Sequence, residues 1–272
     1  MFLKNSICAF LDILGFSEAI ERAYKAGTQF ELLEEIATAL NAAKERLKDW
    51  QSGSDPILDV RFFTDCLVIR RTNFTNDGIM ELMDVCFAVN DFQLTMARKG
   101  FFVRGGISIG TMEVNDTIVF GDALVKAHQL ENTKARTPRV ILDPNLKLTL
   151  DQYISTKPFH SNQWNGLLMS DVDGHYFVNY LLAIYEPDIF ALGGRVMRPN
   201  EEKLAEHRQQ IEKHLRETVA DPHIWSKYFW SANYHDSFCM SINMKQHKID
   251  ASLIRPGPKN LVNNFVDSSG QG

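Results

Sequence analysis

A nearly continuous apolar run at residues 6–14, broken by one carboxylate and stopped at Gly15, constrains this chain more than any other segment. Such a run suits a strand covered on both faces of a sheet. An ionised aspartate inside it is too costly to keep without a partner, so Asp12 needs one. Gly15 then breaks the strand, and Ser17 is a fitting N-cap for a helix through SEAIERAYKAG. Asp65 repeats the anomaly inside VRFFTDCLVI. Two aspartates on neighbouring strands are natural ligands for a hard cation. The backbone amides of the Ile13-Leu14-Gly15-Phe16-Ser17 turn would face phosphate oxygens. Together they point to nucleotide chemistry assisted by metal. Taken singly, each has a plainer reading: Asp12 caps a turn that Gly15 permits, and Asp65 is ordinary turn chemistry.

The rest of the first half alternates strands and helices. A long amphipathic helix is expected over 29–50, with Phe30, Leu33, Ile36, Ala37, Leu40, Ala43 and Leu47 as its buried stripe. QSGSDP closes it and leads into a hairpin with arms 57–63 and 66–71, which puts Asp65 at or near the turn. A second long helix spans 76–99, with Leu82, Val85, Phe87, Val89, Phe92 and Met96 on apolar positions and Gly100 as its cap. A strand over 101–110, a turn at 114–116, a strand over 117–120, a helix over 122–132 and a strand over 139–142 follow. Without the extra hairpin strand and the added first helix this order reduces to a ferredoxin-like βαββαβ plan, an α+β fold.

After residue 145 the periodicity weakens. A hairpin near 168–180 turning at Asp173-Gly174 and a polar helix over 200–219 are expected. We therefore divide the chain into a core at 1–145 and a C-terminal α/β elaboration at 146–272 packed on it. The tail from about 258, rich in Gly, Asn and Ser, should fray.

The net charge of -5 leaves no basic footprint for a nucleic-acid polymer. Cys8, Cys66, Cys86 and Cys239 are scattered, and suit small buried hydrophobes in a reducing cytoplasm better than disulfides or a zinc site. The N-terminal apolar run carries Asp12 and lacks a small-residue cleavage site, so it is a core strand rather than a signal peptide. No run reaches the roughly 18 apolar residues that a membrane span needs. A cytoplasmic protein is expected.

The third informative segment is FFVRGGISIGTMEVNDTIVFGDALVKAHQLEN. Gly105-Gly106 inside a strand lets another backbone or a ligand approach closely. The helix that follows would aim Lys126 and Gln129 toward a cleft, the alternative being a solvated helix face. His128 has no orienting partner in the sequence and suits an ordinary polar neighbour.

In this order, FLDILGFS, FFTDCLVI, VRGGISIG and VFGDALVKAHQLEN resemble the class III nucleotidyl cyclases over about residues 6–143. The closer likeness is to the bacterial pyrimidine cyclases of the Pycsar anti-phage systems, which make cyclic UMP or cyclic CMP. SKYFWSANYHDSF in the C-terminal half resembles a stretch of those stand-alone cyclases. The resemblance implies that Asp12 and Asp65 bind two divalent ions, Mg²⁺ or Mn²⁺, with Ile13 adding a backbone carbonyl. Amides from Leu14, Gly15, Phe16 and Ser17 would hold the triphosphate.

The departures from that pattern are informative. Arg61 stands where purine-specific members carry a base-reading lysine, and Ile118 at their second base-reading position. Their transition-state Asn and Arg fall on Val125 and Gln129. The purine-reading pair is thus missing, which favours a pyrimidine. Arg61, a pure donor, suits the O2 and O4 acceptors of uracil and makes UTP the expected substrate, with CTP as the rival. A surface strand arginine is the plainer reading of Arg61. The resemblance further implies a homodimer with sites at the subunit interface, Arg104, Lys126 or Gln129 reaching in from the second subunit. Arg104 as a purely structural strand residue is the alternative. A separate effector protein would respond to the product. A catalytically silent nucleotide-binding regulator is the remaining rival.

Overall fold

The computed structural model describes residues 3–51, 57–63, 65–72, 78–115, 117–157, 164, 166–187 and 196–254. Strand β1, Lys4–Ile13, lies at the centre of the sheet, hydrogen-bonded on one side to β3, Cys66–Arg71, and on the other to β4, Val103–Val114. Its two faces alternate. Ile7, Ala9 and Leu11 enter one core, and Cys8 enters another. That is why the run is apolar throughout. Beyond β3 lies β2, Asp59–Phe62; all these pairings are antiparallel.

Helix α1, Phe16–Ala26, and helix α2, Gln29–Gln51, link β1 to β2. Helix α3, Ile79–Arg98, links β3 to β4. The four strands therefore trace a βαββαβ path in the spatial order β2-β3-β1-β4, with β3 between β1 and β2. Helices α2 and α3 supply Ala39, Ala43, Leu47, Leu82, Val85 and Val89 to the core on the Ile7 face. Strand β5, Val119–Gly121, pairs with β4 and runs into helix α4, Asp122–Thr133, which covers the Cys8 face. Strand β6, Val140–Leu142, then joins β4 in parallel, so the sheet is mixed.

The same sheet continues through the C-terminal half. Helix α5, Pro144–Thr156, precedes a hairpin of β7, Leu168–Ser170, and β8, Tyr176–Val178, and β8 pairs with β6. A small second sheet joins β9, Tyr185–Pro187, to β10, Met197–Pro199. Helices α6, Glu201–Glu217, and α7, Pro222–Ser241, complete the fold. Their Leu204, Ile211, Leu215, Tyr228 and Phe238 share a core with Leu14, Leu94 and Phe102. The protein is α+β. No helix of the described residues is long and apolar enough to cross a membrane.

Several local expectations hold, and others are corrected. Gly100 ends α3 in the left-handed region, its amide bonded to Ala97 and that of Phe101 to Met96, which closes the last turn. The turn at Asp173-Gly174 and the Asn200 cap of α6 are present, and Cys8, Cys86 and Cys239 are buried thiols. Ser17 is not an N-cap. Gly15 itself takes that position at φ 71, and no side chain caps α1. The stripe of α2 is rotated from expectation: Ile36, Ala39, Ala43 and Leu47 are buried, while Phe30, Leu33 and Ala37 are exposed. Phe87 likewise sits on the outside of α3. The expected tail from 258, Asp116 and most of QSGSDP lie outside the described residues.

Gly105 and Gly106 admit backbone, not ligand. A Cβ on Gly105 would sit 2.4 Å from the Phe10 carbonyl oxygen, and one on Gly106 2.5 Å from that of Ala127. Gly105 makes room for β1, and Gly106 is what lets α4 pack closely on β4.

Candidate active site

Asp12 is the last-but-one residue of β1, and Asp65 immediately precedes β3. The register Asp12↔Cys66 and the amide of Ile13 donating to the Asp65 carbonyl at 3.2 Å bring them to the same end of the sheet. One ligating atom each from Asp12, Asp65 and Cys66 lies within 4.8 Å of the others. On the opposite side, Arg104 of β4 stands directly across from Asp12. Its Nε donates to Asp12 Oδ2 at 3.2 Å, and its terminal nitrogen reaches Glu131 Oε1 of α4 at 2.7 Å. Arg104 therefore serves Asp12 of its own chain, where a residue reaching in from a second subunit had been expected.

The electrostatics follow from this layout. Burial raises the Asp12 carboxyl above its ordinary range, Arg104 opposes that rise, and Asp65 adds to it. Burial also raises Glu131, again against Arg104. The Cys66 thiol, hydrogen-bonded to Asp65 at 3.5 Å, is pushed up to about 12 by burial and by the two carboxylates. Asp12 and Glu131 thus share Arg104, and the nearby Asp65 charge raises Asp12 further, a repulsion that a bound divalent ion would relieve. The donor set fits a hard cation: Asp12 and Asp65 offer carboxylate oxygens, the ligands such an ion takes.

Asp12, Asp65 and Arg104 line the floor of a cleft of about 430 Å³. Its rim includes the first turn of α1, where the N–H groups of Phe16, Ser17 and Glu18 precede the first intrahelical bond, Ala19 to Gly15. With no side-chain cap, these donors and the helix dipole make an anion site. Leu14 lines the cleft too, but its amide is committed to the Phe102 carbonyl at 2.8 Å and is not a phosphate donor.

The other expected site residues lie elsewhere. Arg61 is on β2, opposite Val68, and does not line the cleft. Lys126 is exposed on α4 and paired with Asp122 at 2.7 Å. Gln129, Val125 and Ile118 are exposed outside the cleft, and His128 stacks edge-on against Phe10. Sequence reasoning missed Glu131, although its spacing of four from the buried Ala127 and eight from the buried Ala123 marks an acid on the covered face of α4. It also missed the thiol of Cys66, whose place beside Asp65 was the available signal. Arg22, Lys99, Lys213 and Lys227, which all line the cleft, carried no signal in the sequence. No protein-family model matches the chain, and no curated protein matches it.

Proposed function

We propose that the protein is a nucleotidyl cyclase of the class III type, a uridylate cyclase converting UTP to 3′,5′-cyclic UMP and pyrophosphate. The observation that carries this reading is the pair Asp12 and Asp65, held on adjacent strands at the floor of a cleft whose rim is a helix N-terminus. The ferredoxin-like path of β1 to β4 agrees with a cyclase core. In the reaction the ribose 3′-oxygen bonds to the α-phosphorus, and the bond from that phosphorus to the β-bridging oxygen breaks. Its electron pair leaves with pyrophosphate, and the 3′-hydroxyl proton goes to solvent.

Asp12 and Asp65, with the Ile13 carbonyl, would hold two Mg²⁺ or Mn²⁺ ions. When bound, such ions supply activation of the 3′-hydroxyl and neutralise charge on the phosphates. Arg104, bonded to Asp12 Oδ2, would hold that carboxylate in place and leave Oδ1 for a cation. The amides of Gly15, Phe16 and Ser17 orient the phosphate chain. A homodimer would bring Arg61, Lys126 or Gln129 to the site of the second copy, with Arg61 addressing the uracil carbonyls. The product would act on a separate effector in a cytoplasmic anti-phage response, and CTP is the alternative substrate.

A second reading, a silent nucleotide-binding regulator, draws on Val125 and Gln129, which lack the family's Asn and Arg chemistry. Incubation with all four nucleoside triphosphates and Mn²⁺, products resolved by mass spectrometry beside Asp12→Asn, separates the two. We expect a cyclic pyrimidine monophosphate that disappears in the variant. Nucleotide binding without any cyclic product would replace the cyclase with the regulator.

A further inference from the structure

Four cations line the cleft away from its acidic floor: Arg22 on α1, Lys99 after α3, Lys213 on α6 and Lys227 on α7. Among the described residues none of the four carries an ion pair, whereas Arg104 is committed to Asp12 and Glu131. Arg22, Lys99 and Lys213 are exposed; Lys227 is half-buried. Lys227 and Arg104 both line the cleft, and burial followed by that like charge pushes the Lys227 ammonium down from the ordinary range. Glu18, Glu35 and Glu217 also reach the rim, and Glu18 and Asp221 pull Lys227 weakly the other way. A half-buried ammonium facing a guanidinium is costly, and the cost is relieved by an anion set between them.

We infer that α6 and α7 complete the phosphate end of this cleft within the same chain, with Lys227 as the main contact for the terminal phosphates of a nucleoside triphosphate. The inference rests on the nucleotide reading of the site and gives the residues after 145 a part in it. The acidic floor takes the cations and the reacting phosphate. The α1 amides take the middle of the chain, and Lys227, backed by Lys213 and Arg22, takes the outgoing pyrophosphate portion. Lysine suits this place because it offers a mobile point charge rather than a fixed fork.

Inorganic tripolyphosphate, which has neither base nor ribose, is the probe. Its dissociation constant with Mn²⁺ is measured by calorimetry on the full chain for wild type, Lys227→Gln, Lys227→Arg and Lys25→Gln. Lys25 is an exposed residue of α1 outside the cleft. We expect Lys227→Gln to weaken binding about tenfold, Lys227→Arg to stay within about threefold, and Lys25→Gln to leave it unchanged. Binding by Lys227→Gln within about twofold of wild type, or equal weakening in Lys25→Gln, overturns the inference, as does a wild type that fails to bind. Cyclic product with unchanged tripolyphosphate binding in Lys227→Gln removes this inference alone. The tenfold loss without any cyclic product removes the cyclase alone.

Discussion

Replacing Arg104 with methionine keeps the stem of the side chain and removes the one cation among the described residues that is paired with both Asp12 and Glu131. At 3.2 Å and 2.7 Å the two attractions are each about 5–6 kcal/mol at an effective dielectric near 20, and desolvation offsets much of this. The loss has a ceiling, because an orphaned carboxylate can take up a proton. From an ordinary value near 4 that costs roughly 4 kcal/mol at pH 7, so we expect a destabilisation of about 2–4 kcal/mol. For a chain of this size it lowers Tm by about 4–16 °C. Asp12 and Glu131 are already raised in the folded protein, so the stability they contribute is complete below the unfolded value and drains away as pH rises through the folded one. Arg104→Met raises them further. The Tm gap between variant and wild type should therefore be wide at pH 7 and narrow toward pH 5, and saturating Mn²⁺ should close part of it at pH 7. Thermal unfolding of both proteins at the two pH values, with and without Mn²⁺, measures this directly. A gap under about 1 °C at pH 7, or one that does not change with pH, would refute the shared-cation account.

Gly106→Ala drives a methyl into the Ala127 carbonyl, an overpacking against backbone that should cost about 3 kcal/mol and lower Tm by about 6–12 °C; a loss below about 2 °C contradicts the close approach of α4. Acid should weaken the C-terminal half through His207 and His235. The chain Tyr180 to His207 to His235 to the His247 carbonyl is satisfied with both rings neutral, and burial depresses His235 to about 4 and holds His207 well below its ordinary value. The unfolded chain binds these protons from about pH 6.5 downward, so stability falls between pH 6.5 and 4, by on the order of 3 kcal/mol for His235 alone. His207→Gln should change that slope in urea titrations at stepped pH, and an unaltered slope rejects the assignment. Asp221→Ala removes the acceptor for the His223 and Ile224 amides and should cost about 1 kcal/mol in the same titration, whereas no loss would mean that the cap is dispensable.

The path from β1 to β6 was legible because each element carries its own punctuation. Asp12 stood out in a strand apolar on both faces, Gly15 and Gly100 mark ends, and α3 carries apolar residues along its whole length. What failed depended on distant partners. Helix α2 offers two apolar rows, and only its docking on the sheet chooses the one through Ile36, Ala39 and Ala43 over the one through Phe30 and Leu33. Helix α5 buries little beyond Leu146 and Leu150, so its stripe is faint. Helix α7 buries Ser231 and His235 beside Tyr228, Tyr234 and Phe238, which blurs any periodic contrast. The same division runs through the site. Asp12 and Asp65 were legible as acids out of place, whereas the cis contact of Arg104 depends on cross-strand register and Lys227 on the packing of α7.

That packing binds the two halves of the cleft together physically. Phe102, fully buried, sits among the rings of His207, His214 and Tyr228 at centroid distances of 5.9, 5.6 and 5.4 Å. Its carbonyl holds the amide of Leu14, and Leu14 enters the same core. His214 in turn bonds to the Gly100 carbonyl at 2.9 Å, just ahead of β4. The turn that presents the α1 amides and the helices that present Lys213 and Lys227 thus rest on one set of aromatic contacts. Close-packed interiors yield in discrete rearrangements rather than by gradual deformation. A shift of α6 and α7 would therefore move the α1 amides together with the lysines, so that this end of the cleft opens or closes as a unit.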